Sequence, residues 1–364
     1  MAIQDPSALD CSDAAGCVGL IYSPLGSPGL SRRGAGKGFS YRDPDGRPLK
    51  DAAALARIKL LVIPPAWTQV WICPDPNGHI QALGQDAKGR RQYLYHPTFR
   101  EARDSQKFDH MIAFAKTLPR LRQQVDRDMA TRGLGRRKVV ATVVRLLETT
   151  MVRIGNAAYA RDNKSYGLTT LLTPHVQVEG AQLKFHFKGK SGKIWRLGVE
   201  DRRVARIVKS CQELPGQRLF QYLDEDGQRQ TVSSADVNAY LKEASDADIT
   251  AKDFRTWAGA VLTAWALVEA GPATSATAAK RTVAQVIKSV AARLGNTPTV
   301  CRQCYVHPEI ITAYLEGELK LRPRKSRAQS DTPSLAAEEA AVLAFLRGRT
   351  AGERADPASQ REAA

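Results

Sequence analysis

The residue pattern changes near residue 100, and this change limits the folds open to the chain. Before it, short stretches of alternating apolar and polar residues are separated by the turn dipeptides Asp45-Gly46, Asn77-Gly78 and Lys88-Gly89. Such stretches are typical of strands joined by tight turns. After it, apolar residues recur three and four positions apart, as in helices, the first two of which are predicted over 108–117 and 118–131. An α+β fold with separate β-rich and helical domains is therefore expected.

One later stretch departs from the helical pattern. Residues 176–199 read V-Q-V-E-G-A-Q-L-K-F-H-F-K-G-K-S-G-K-I-W-R-L-G-V, with turn residues at Gly180 and at Gly189–Gly192. This alternation predicts a small three-stranded antiparallel sheet. It also places Lys190 in the hairpin loop between two of the strands.

Composition sets the expected domain boundaries. The first residues are rich in Gly, Ser, Pro and Ala without periodicity, which favours a flexible arm. Past residue 322 the chain is polar, and Ser334 is a suitable cap for a short helix. The predicted parts are an arm (1–36), a β-rich N-terminal domain (37–103), a mainly helical domain (104–322), and a linker and tail (323–364).

The charge of the chain indicates its class of partner. The 364 residues include 54 Lys and Arg against 37 Asp and Glu, a net charge of +17. Such a field attracts polyanions, and nucleic acid is the expected one. No apolar run of about 18 residues and no secretory signal is seen, so we expect no membrane association and a cytoplasmic, nucleoid-associated protein.

The cysteines do not predict a metal site. Among six cysteines, only Cys301 and Cys304 form a C-x-x-C pair, and no second pair lies at matching spacing. A structural zinc site needs four ligands, so reduced thiols are the better interpretation. No carboxylate cluster resembles a magnesium site, and we expect neither metal nor cofactor.

Four residues carry the candidate chemistry. Tyr305 ends G-N-T-P-T-V-C-R-Q-C-Y, and it is preceded by Arg153, Lys190 and Arg255. A phenol can attack phosphorus once it loses its proton, and guanidinium and ammonium groups stabilise the charge that gathers on a phosphodiester. Singly, each residue has a more ordinary interpretation, such as a half-buried tyrosine or a surface ion pair. Their combination indicates a protein that breaks and rejoins a nucleic-acid strand.

Six motifs carry a family resemblance. They are Q-Y-L-Y at 92–95, R-I-G-N-x-x-Y at 153–159, Y-G-L-T-T-L at 166–171, F-K-G-K at 187–190, K-D-F-R-T-W-A at 252–258, and N-T-P at 296–298 followed seven residues later by Tyr305. In this order and spacing, the chain resembles the type IB DNA topoisomerases of the small poxviral and bacterial kind over roughly residues 37–322.

The resemblance implies a role for each residue. Tyr305 forms a 3′-phosphotyrosyl bond, Arg153 and Arg255 bind the non-bridging oxygens, and Lys190 protonates the departing 5′ oxygen. Lys252 assists Lys190, and Tyr159 contacts a phosphate. Asn296 stands where many members of the family have His, so it is expected only to donate a neutral hydrogen bond.

The resemblance also implies the partner and the architecture. It suggests a monomeric two-lobed clamp on duplex DNA, preferably supercoiled, that relaxes supercoils of either sign without ATP or a required metal. The predicted DNA-binding residues are Lys88, Arg90, Arg91, Gln92, Tyr93, Tyr95 and Arg302.

Two other functions stay open at this point. A tyrosine recombinase uses a similar set of residues, but such enzymes typically carry His three residues before the second Arg, where this chain has Lys252. A non-catalytic DNA-binding protein is also compatible with the basic charge.

Overall fold

The computed structural model describes residues 16, 18–36, 38–322 and 335–355. The chain divides into two compact units, the first ending at Asp109 and the second beginning at His110. The first contains an N-terminal sheet and the second is mainly helical. The α+β class expected from the sequence is therefore confirmed.

The first unit is built on a five-stranded antiparallel sheet of order β2-β1-β3-β4-β5. Its elements are β1 (Leu30–Ala35), β2 (Gly38–Arg42), α1 (Ala52–Leu60), β3 (Thr68–Ile72), β4 (Ile80–Gln85) and β5 (Arg91–Tyr95). Asp51 caps α1 by accepting a hydrogen bond of 2.9 Å from the backbone N–H of Ala53. Ile58 of this helix packs with Val70, Ile72 and Ala82 in the core.

The N-terminal arm is shorter than the sequence predicts. The arm was expected to extend to residue 36, whereas Leu30–Ala35 form β1 and pair with both β2 and β3. The segment L-S-R-R-G-A lacks alternation, so its strand conformation depends on neighbours that are distant in sequence. Residues 1–15 and 17 of the expected arm lie outside the described part of the chain.

The second unit contains most of the helices and two small sheets. Its strands are β6 (Val176–Glu179), β7 (Gln182–Lys188), β8 (Ile194–Glu200), β9 (Gln221–Leu223) and β10 (Arg229–Thr231). Its helices are α2 (Pro97–Met129, which begins in the first unit), α3 (Arg136–Thr150), α4 (Ala157–Asn163), α5 (Arg202–Glu213), α6 (Ser234–Ser245), α7 (Ala251–Ala270), α8 (Ala276–Leu294), α9 (Pro298–Tyr305), α10 (Pro308–Leu315) and α11 (Ala337–Ala355).

Helix α2 differs from the prediction of two separate helices over 108–117 and 118–131. It is one helix of 33 residues that continues through Pro119. A proline removes one helical hydrogen bond, but Leu118 and Leu121 on either side of it are buried in the core. Burial of this apolar face outweighs the local cost of the proline.

The antiparallel sheet predicted over 176–199 is present, with strand order β6-β7-β8. Side chains along β7 alternate between buried and exposed positions, with Leu183, Phe185 and Phe187 buried. The pair β9 and β10 was not predicted, since strands of three residues leave little alternation to detect.

Helix α11 forms the C-terminal part of the described chain. Val342 and Leu346 on this helix are fully buried, so the helix packs onto the second unit. The predicted cap Ser334 and the rest of the linker from residue 323 lie outside the described residues. None of the helices that could be searched has the length and apolarity to cross a membrane.

Candidate active site at the end of helix α9

Two motifs of the sequence meet in the loop that carries Arg153. Helix α3 is capped at its C-terminus by Met151, whose φ of 56° is left-handed, and the chain then turns through Arg153 to Gly155. The backbone N–H of Leu168 donates to the carbonyl of Arg153 over 2.9 Å. A Cβ at Gly167 would lie 2.5 Å from that same carbonyl oxygen. Only glycine permits this approach, which joins R-I-G-N to Y-G-L-T-T.

A second junction places Tyr305. Helix α8 is capped at its C-terminus by Gly295, which has a left-handed φ of 66°. Thr297 then caps α9, accepting a hydrogen bond of 3.3 Å from the backbone N–H of Val300, and Pro298 occupies the first helical position, which needs no donor. The N-T-P motif therefore starts an eight-residue helix whose last residue is Tyr305.

Arg153 reaches this junction. Both terminal nitrogens of its guanidinium lie 3.3 Å from the carbonyl oxygen of Gly295, and one also donates to Oδ1 of Asn296. Because a guanidinium only donates hydrogen bonds, this contact orients the amide with its oxygen toward Arg153. The buried Nδ2 of Asn296 has no hydrogen-bond partner among the residues the structure describes.

Arg255 links the ends of two helices. It lies one turn into α7, and the residue is only 3% exposed. Its guanidinium donates to the carbonyl of Met151, at the end of α3. It also donates to the carbonyl of Leu294, at the end of α8, over 2.5 Å. Each terminal nitrogen carries two hydrogens, so a second N–H remains on each.

An ion pair with Asp253, two positions earlier in the sequence, would neutralise Arg255. In the structure, Asp253 instead accepts hydrogen bonds from the N-cap residue Thr250. It also lies 3.3 Å from Nε2 of His110. This carboxylate is thus used to start helix α7 and does not neutralise Arg255.

Tyr305 is half-buried and lies against Arg255. The Cζ atom of Arg255 is 5.4 Å from the centroid of the tyrosine ring. One turn further along α7, a Cβ at Gly259 would lie 2.6 Å from the carbonyl oxygen of Tyr305 and 2.8 Å from its Cβ. Gly259 thus allows the end of α9 to touch α7. The sequence analysis did not predict a role for Gly259, although a glycine inside a helical pattern lowers helix stability and usually has a packing reason.

The site carries a positive charge that its own hydrogen bonds do not neutralise. The acceptors of Arg153 and Arg255 are three backbone carbonyls and one side-chain amide. Burial lowers the pKa of both guanidinium groups. The neighbouring charge of Arg153 lowers the pKa of Arg255 further, while interaction with Tyr305 raises both. The arrangement therefore favours an anion beside the phenol.

Lys190 is on a hairpin beside this group. It begins the short 3₁₀ turn Lys190–Gly192 between β7 and β8, in which Ser191 has a left-handed φ of 61°. Its side chain is exposed. At the base of the hairpin, the carbonyl of Lys188 accepts a hydrogen bond of 2.8 Å from the backbone N–H of Tyr166. The structure thus brings together Arg153, Arg255, Asn296 and Tyr305. Within the described part of the chain, the Lys190 side chain makes no hydrogen bond to them.

Three further predicted residues belong to the second unit. Lys252 is exposed in the first turn of α7, three positions before Arg255. Tyr159 is half-buried on α4, and its charge interaction raises the pKa of Arg153 against the larger effect of burial. Arg302 is exposed on α9, one turn before Tyr305.

The predicted DNA contacts of the first unit share the β4–β5 hairpin. Asp86 accepts hydrogen bonds from Nε of Arg90 at 2.8 Å and from Nε2 of Gln92 at 3.0 Å. The hydrogen bond from Arg90 lowers the pKa of Asp86 to about 2. The rings of Tyr93 and Tyr95 stack with centroids 5.9 Å apart. Lys88 and Arg91 are exposed.

Comparisons with known proteins identify one family for both parts of the chain. The model of the catalytic core of eukaryotic DNA topoisomerase I matches residues 96–331. The model of the N-terminal domain of bacterial DNA topoisomerase IB matches residues 38–86. The chain is 34% identical over 286 residues to DNA topoisomerase 1B of Acanthamoeba polyphaga mimivirus, covering 76% of this chain and 85% of the relative.

Other viral DNA topoisomerases match the chain at lower identity. DNA topoisomerase 1 of Rabbit fibroma virus (strain Kasza) is 24% identical, covering 66% of this chain and 73% of the relative. DNA topoisomerase 1B of Vaccinia virus (strain Western Reserve) is also 24% identical, covering 63% of this chain and 70% of the relative. The chain belongs to the type IB DNA topoisomerase family, and it is an enzyme that acts on DNA.

Proposed function

We propose that this enzyme relaxes positive and negative supercoils by cutting and rejoining one DNA strand through Tyr305. The tyrosine oxygen attacks the scissile phosphorus and loses its proton. A 3′-phosphotyrosyl bond forms as the bond from phosphorus to the 5′ oxygen breaks. Lys190 supplies the proton that the 5′ oxygen takes up, and religation reverses these steps. One ester replaces another, so the cycle needs neither ATP nor a metal.

The observation that carries this proposal is a pair of arginines beside a phenol, of which Arg255 is buried and Arg153 is half-buried. Arg153 and Arg255 are held by neutral acceptors, so their charge is available to a phosphodiester. Donors fixed in advance, where negative charge develops, stabilise a transition state without reorganisation. Burial strengthens this effect because fewer water dipoles screen the charge.

The other predicted residues have supporting roles in the proposal. The Nδ2 of Asn296, which lacks a partner in the described chain, donates a hydrogen bond to a phosphate oxygen. Asn296 transfers no proton, because an amide does not titrate in this range. Lys252 assists Lys190 in protonation, and Tyr159 contacts a neighbouring phosphate.

We propose that both units bind the same duplex, as the lobes of a clamp. The β4–β5 hairpin contributes Gln92, Tyr93 and Tyr95, with the exposed cations Lys88 and Arg91 near the DNA backbone. Arg90 has a smaller role, because Asp86 already binds its guanidinium. With a net charge of +17, binding should weaken steeply as salt rises. In this proposal the enzyme is a monomer that prefers supercoiled DNA and is located in the cytoplasm at the nucleoid.

Relaxation of a supercoiled plasmid in EDTA without ATP tests the proposal. The wild-type enzyme should relax plasmids of either sign that share no sequence, whereas a recombinase would act only at its own sites. Tyr305→Phe should lose all relaxation and all covalent adduct trapped by denaturant, while binding DNA normally. Tyr222→Phe, a half-buried tyrosine on β9, is the matched control. Relaxation by Tyr305→Phe at the wild-type rate would show that Tyr305 is not the nucleophile.

A further inference from the structure

Trp195 of β8 lies between two glycines that are distant in the sequence. A Cβ at Gly189 would lie 2.6 Å from the indole Nε1, and one at Gly295 would lie 2.6 Å from the indole Cζ2. The five-membered ring therefore faces Gly189, and the six-membered ring faces Gly295. Neither contact leaves room for a side chain.

These two glycines belong to different parts of the site. Gly189 directly precedes Lys190, and its N–H donates to the carbonyl of Lys193 over 2.7 Å, which closes the hairpin. Gly295 accepts the hydrogen bonds of Arg153 and directly precedes Asn296. The indole thus joins the hairpin of the proposed general acid to the junction that holds the phosphate-binding groups.

Other contacts fix the orientation of the indole. The ring of Phe187, the cross-strand partner of Trp195, stacks on it with centroids 6.3 Å apart and 6° between the planes. Beside it, Nζ of Lys193 lies 3.4 Å from the carbonyl oxygen of Ala292 near the end of α8. The stacking on Phe187 therefore holds the indole in place, and the Lys193 contact holds the hairpin near the end of α8.

The side chain of Lys190 is not held in place by contacts of its own with the described part of the chain. Within the residues that the structure describes, no hydrogen bond or ion pair holds its ammonium, and the side chain is exposed. Its position relative to the reacting atoms therefore depends on where the hairpin backbone is held.

We propose that Trp195 is a positioning residue that sets the distance between Lys190 and the Gly295–Asn296 junction, so that the ammonium meets the departing 5′ oxygen. This inference rests on the proposed function, in which Lys190 is the general acid. Misplacement of a reacting group by about 1 Å can cost about 10²-fold in rate. We expect Trp195→Ala to slow single-turnover cleavage by about 10- to 100-fold, with DNA affinity within about twofold of wild type.

A DNA substrate with sulfur in place of the bridging 5′ oxygen separates positioning from a general structural effect. The thiolate leaves without a proton, so a defect in general-acid catalysis disappears with this substrate. Cleavage by Trp195→Ala and by Lys190→Ala should both return to near the wild-type rate. Trp265→Ala is the matched control, because it removes a half-buried indole from helix α7. It should cleave the normal substrate at close to the wild-type rate, and sulfur should not increase its rate relative to wild type.

Each result is decisive. If sulfur restores Lys190→Ala but not Trp195→Ala, or if Trp195→Ala cleaves the normal substrate at the wild-type rate, the positioning role is wrong. If sulfur restores neither variant, the general-acid step of the proposed function is wrong, and the inference fails with it. Trp195→Phe is the second variant should the alanine variant fold poorly. It lacks the ring that faces Gly295, and a smaller defect with full recovery on sulfur is expected.

Discussion

Two arginine clusters of the second unit differ in the groups that bind them. Arg122 of α2 donates to Glu148 over 2.6 Å and to both carboxylate oxygens of Glu339 over 2.7 and 2.9 Å. Arg153 and Arg255 donate instead to backbone carbonyls and an amide. The first cluster is neutralised by carboxylates within the protein, whereas the second has only neutral acceptors.

The pKa shifts of the two clusters have opposite signs. Burial lowers the pKa of Arg122, but its hydrogen bond to Glu339 and the charge of Glu148 outweigh this effect and raise it. For Arg153, burial is the largest effect, and the pKa is lowered. An arginine that is buried without a carboxylate destabilises the fold, and this cost indicates a functional position.

The largest difference between the clusters should appear when lysine replaces arginine. Arg255→Lys keeps the charge but loses the fork that bonds to Met151 and Leu294. Loss of one such donor should slow single-turnover cleavage by about 10²–10³-fold. Arg122→Lys is the matched control, and its folded fraction should cleave within about twofold of wild type. Equal cleavage rates in the two variants would remove the distinction between the clusters.

The Arg122 cluster should show its effect in stability. Glu339 also accepts a hydrogen bond of 2.9 Å from Nε1 of Trp257, so it joins α11 to α2 and α7. Glu339→Ala should lower the free energy of unfolding by about 2–3 kcal/mol, because charged hydrogen-bonding groups lose their acceptor. Urea denaturation measures this change.

The neighbouring residue provides the control for that experiment. Glu338 is exposed, and Glu338→Ala should change the unfolding free energy by less than about 0.5 kcal/mol. Loss of stability alone does not slow cleavage by the protein that remains folded. If folded Glu339→Ala cleaved more than about tenfold more slowly than wild type, the Arg122 cluster would have a catalytic role. The distinction between the two clusters would then fail.

Substitution of Gly259 tests how closely Tyr305 packs against helix α7 beside Arg255. Alanine is favoured over glycine inside a helix by about 0.5–1 kcal/mol, but a Cβ at Gly259 would meet Tyr305 at 2.6 Å. Gly259→Ala should therefore slow cleavage by about tenfold through displacement of Tyr305. Gly348→Ala on α11, where a Cβ meets nothing within 4 Å, should be stabilising and leave cleavage unchanged. Unchanged cleavage by Gly259→Ala would mean that Tyr305 tolerates the displacement.

The sequence predicted the features of this site that local patterns encode. The alternation over 176–199 predicted a three-stranded sheet and placed Lys190 in the hairpin between two of its strands. The roles of Trp195 and Gly259 were not predicted, because each depends on a contact between segments distant along the chain. The contacts of Glu339 were not predicted either, since its partners Arg122 and Trp257 lie on two other helices. Strand β1 was missed for the same reason.

The smallest effect is expected at the outer end of α11. Arg349 lies 2.9 Å from Glu309, 2.9 Å from Glu316 and 2.5 Å from Glu318, and hydrogen bonding to these carboxylates raises its pKa. The side chains of Glu316 and Glu318 are 47% and 60% exposed, so Arg349→Ala should cost at most about 1 kcal/mol of unfolding free energy. The cost should shrink at about 1 M salt, where charges are screened beyond about 3 Å. A cost above about 2 kcal/mol that persists in high salt would show that the ion pairs of Arg349 are as strong as those of Arg122. The greater exposure of its carboxylate partners would then not weaken them.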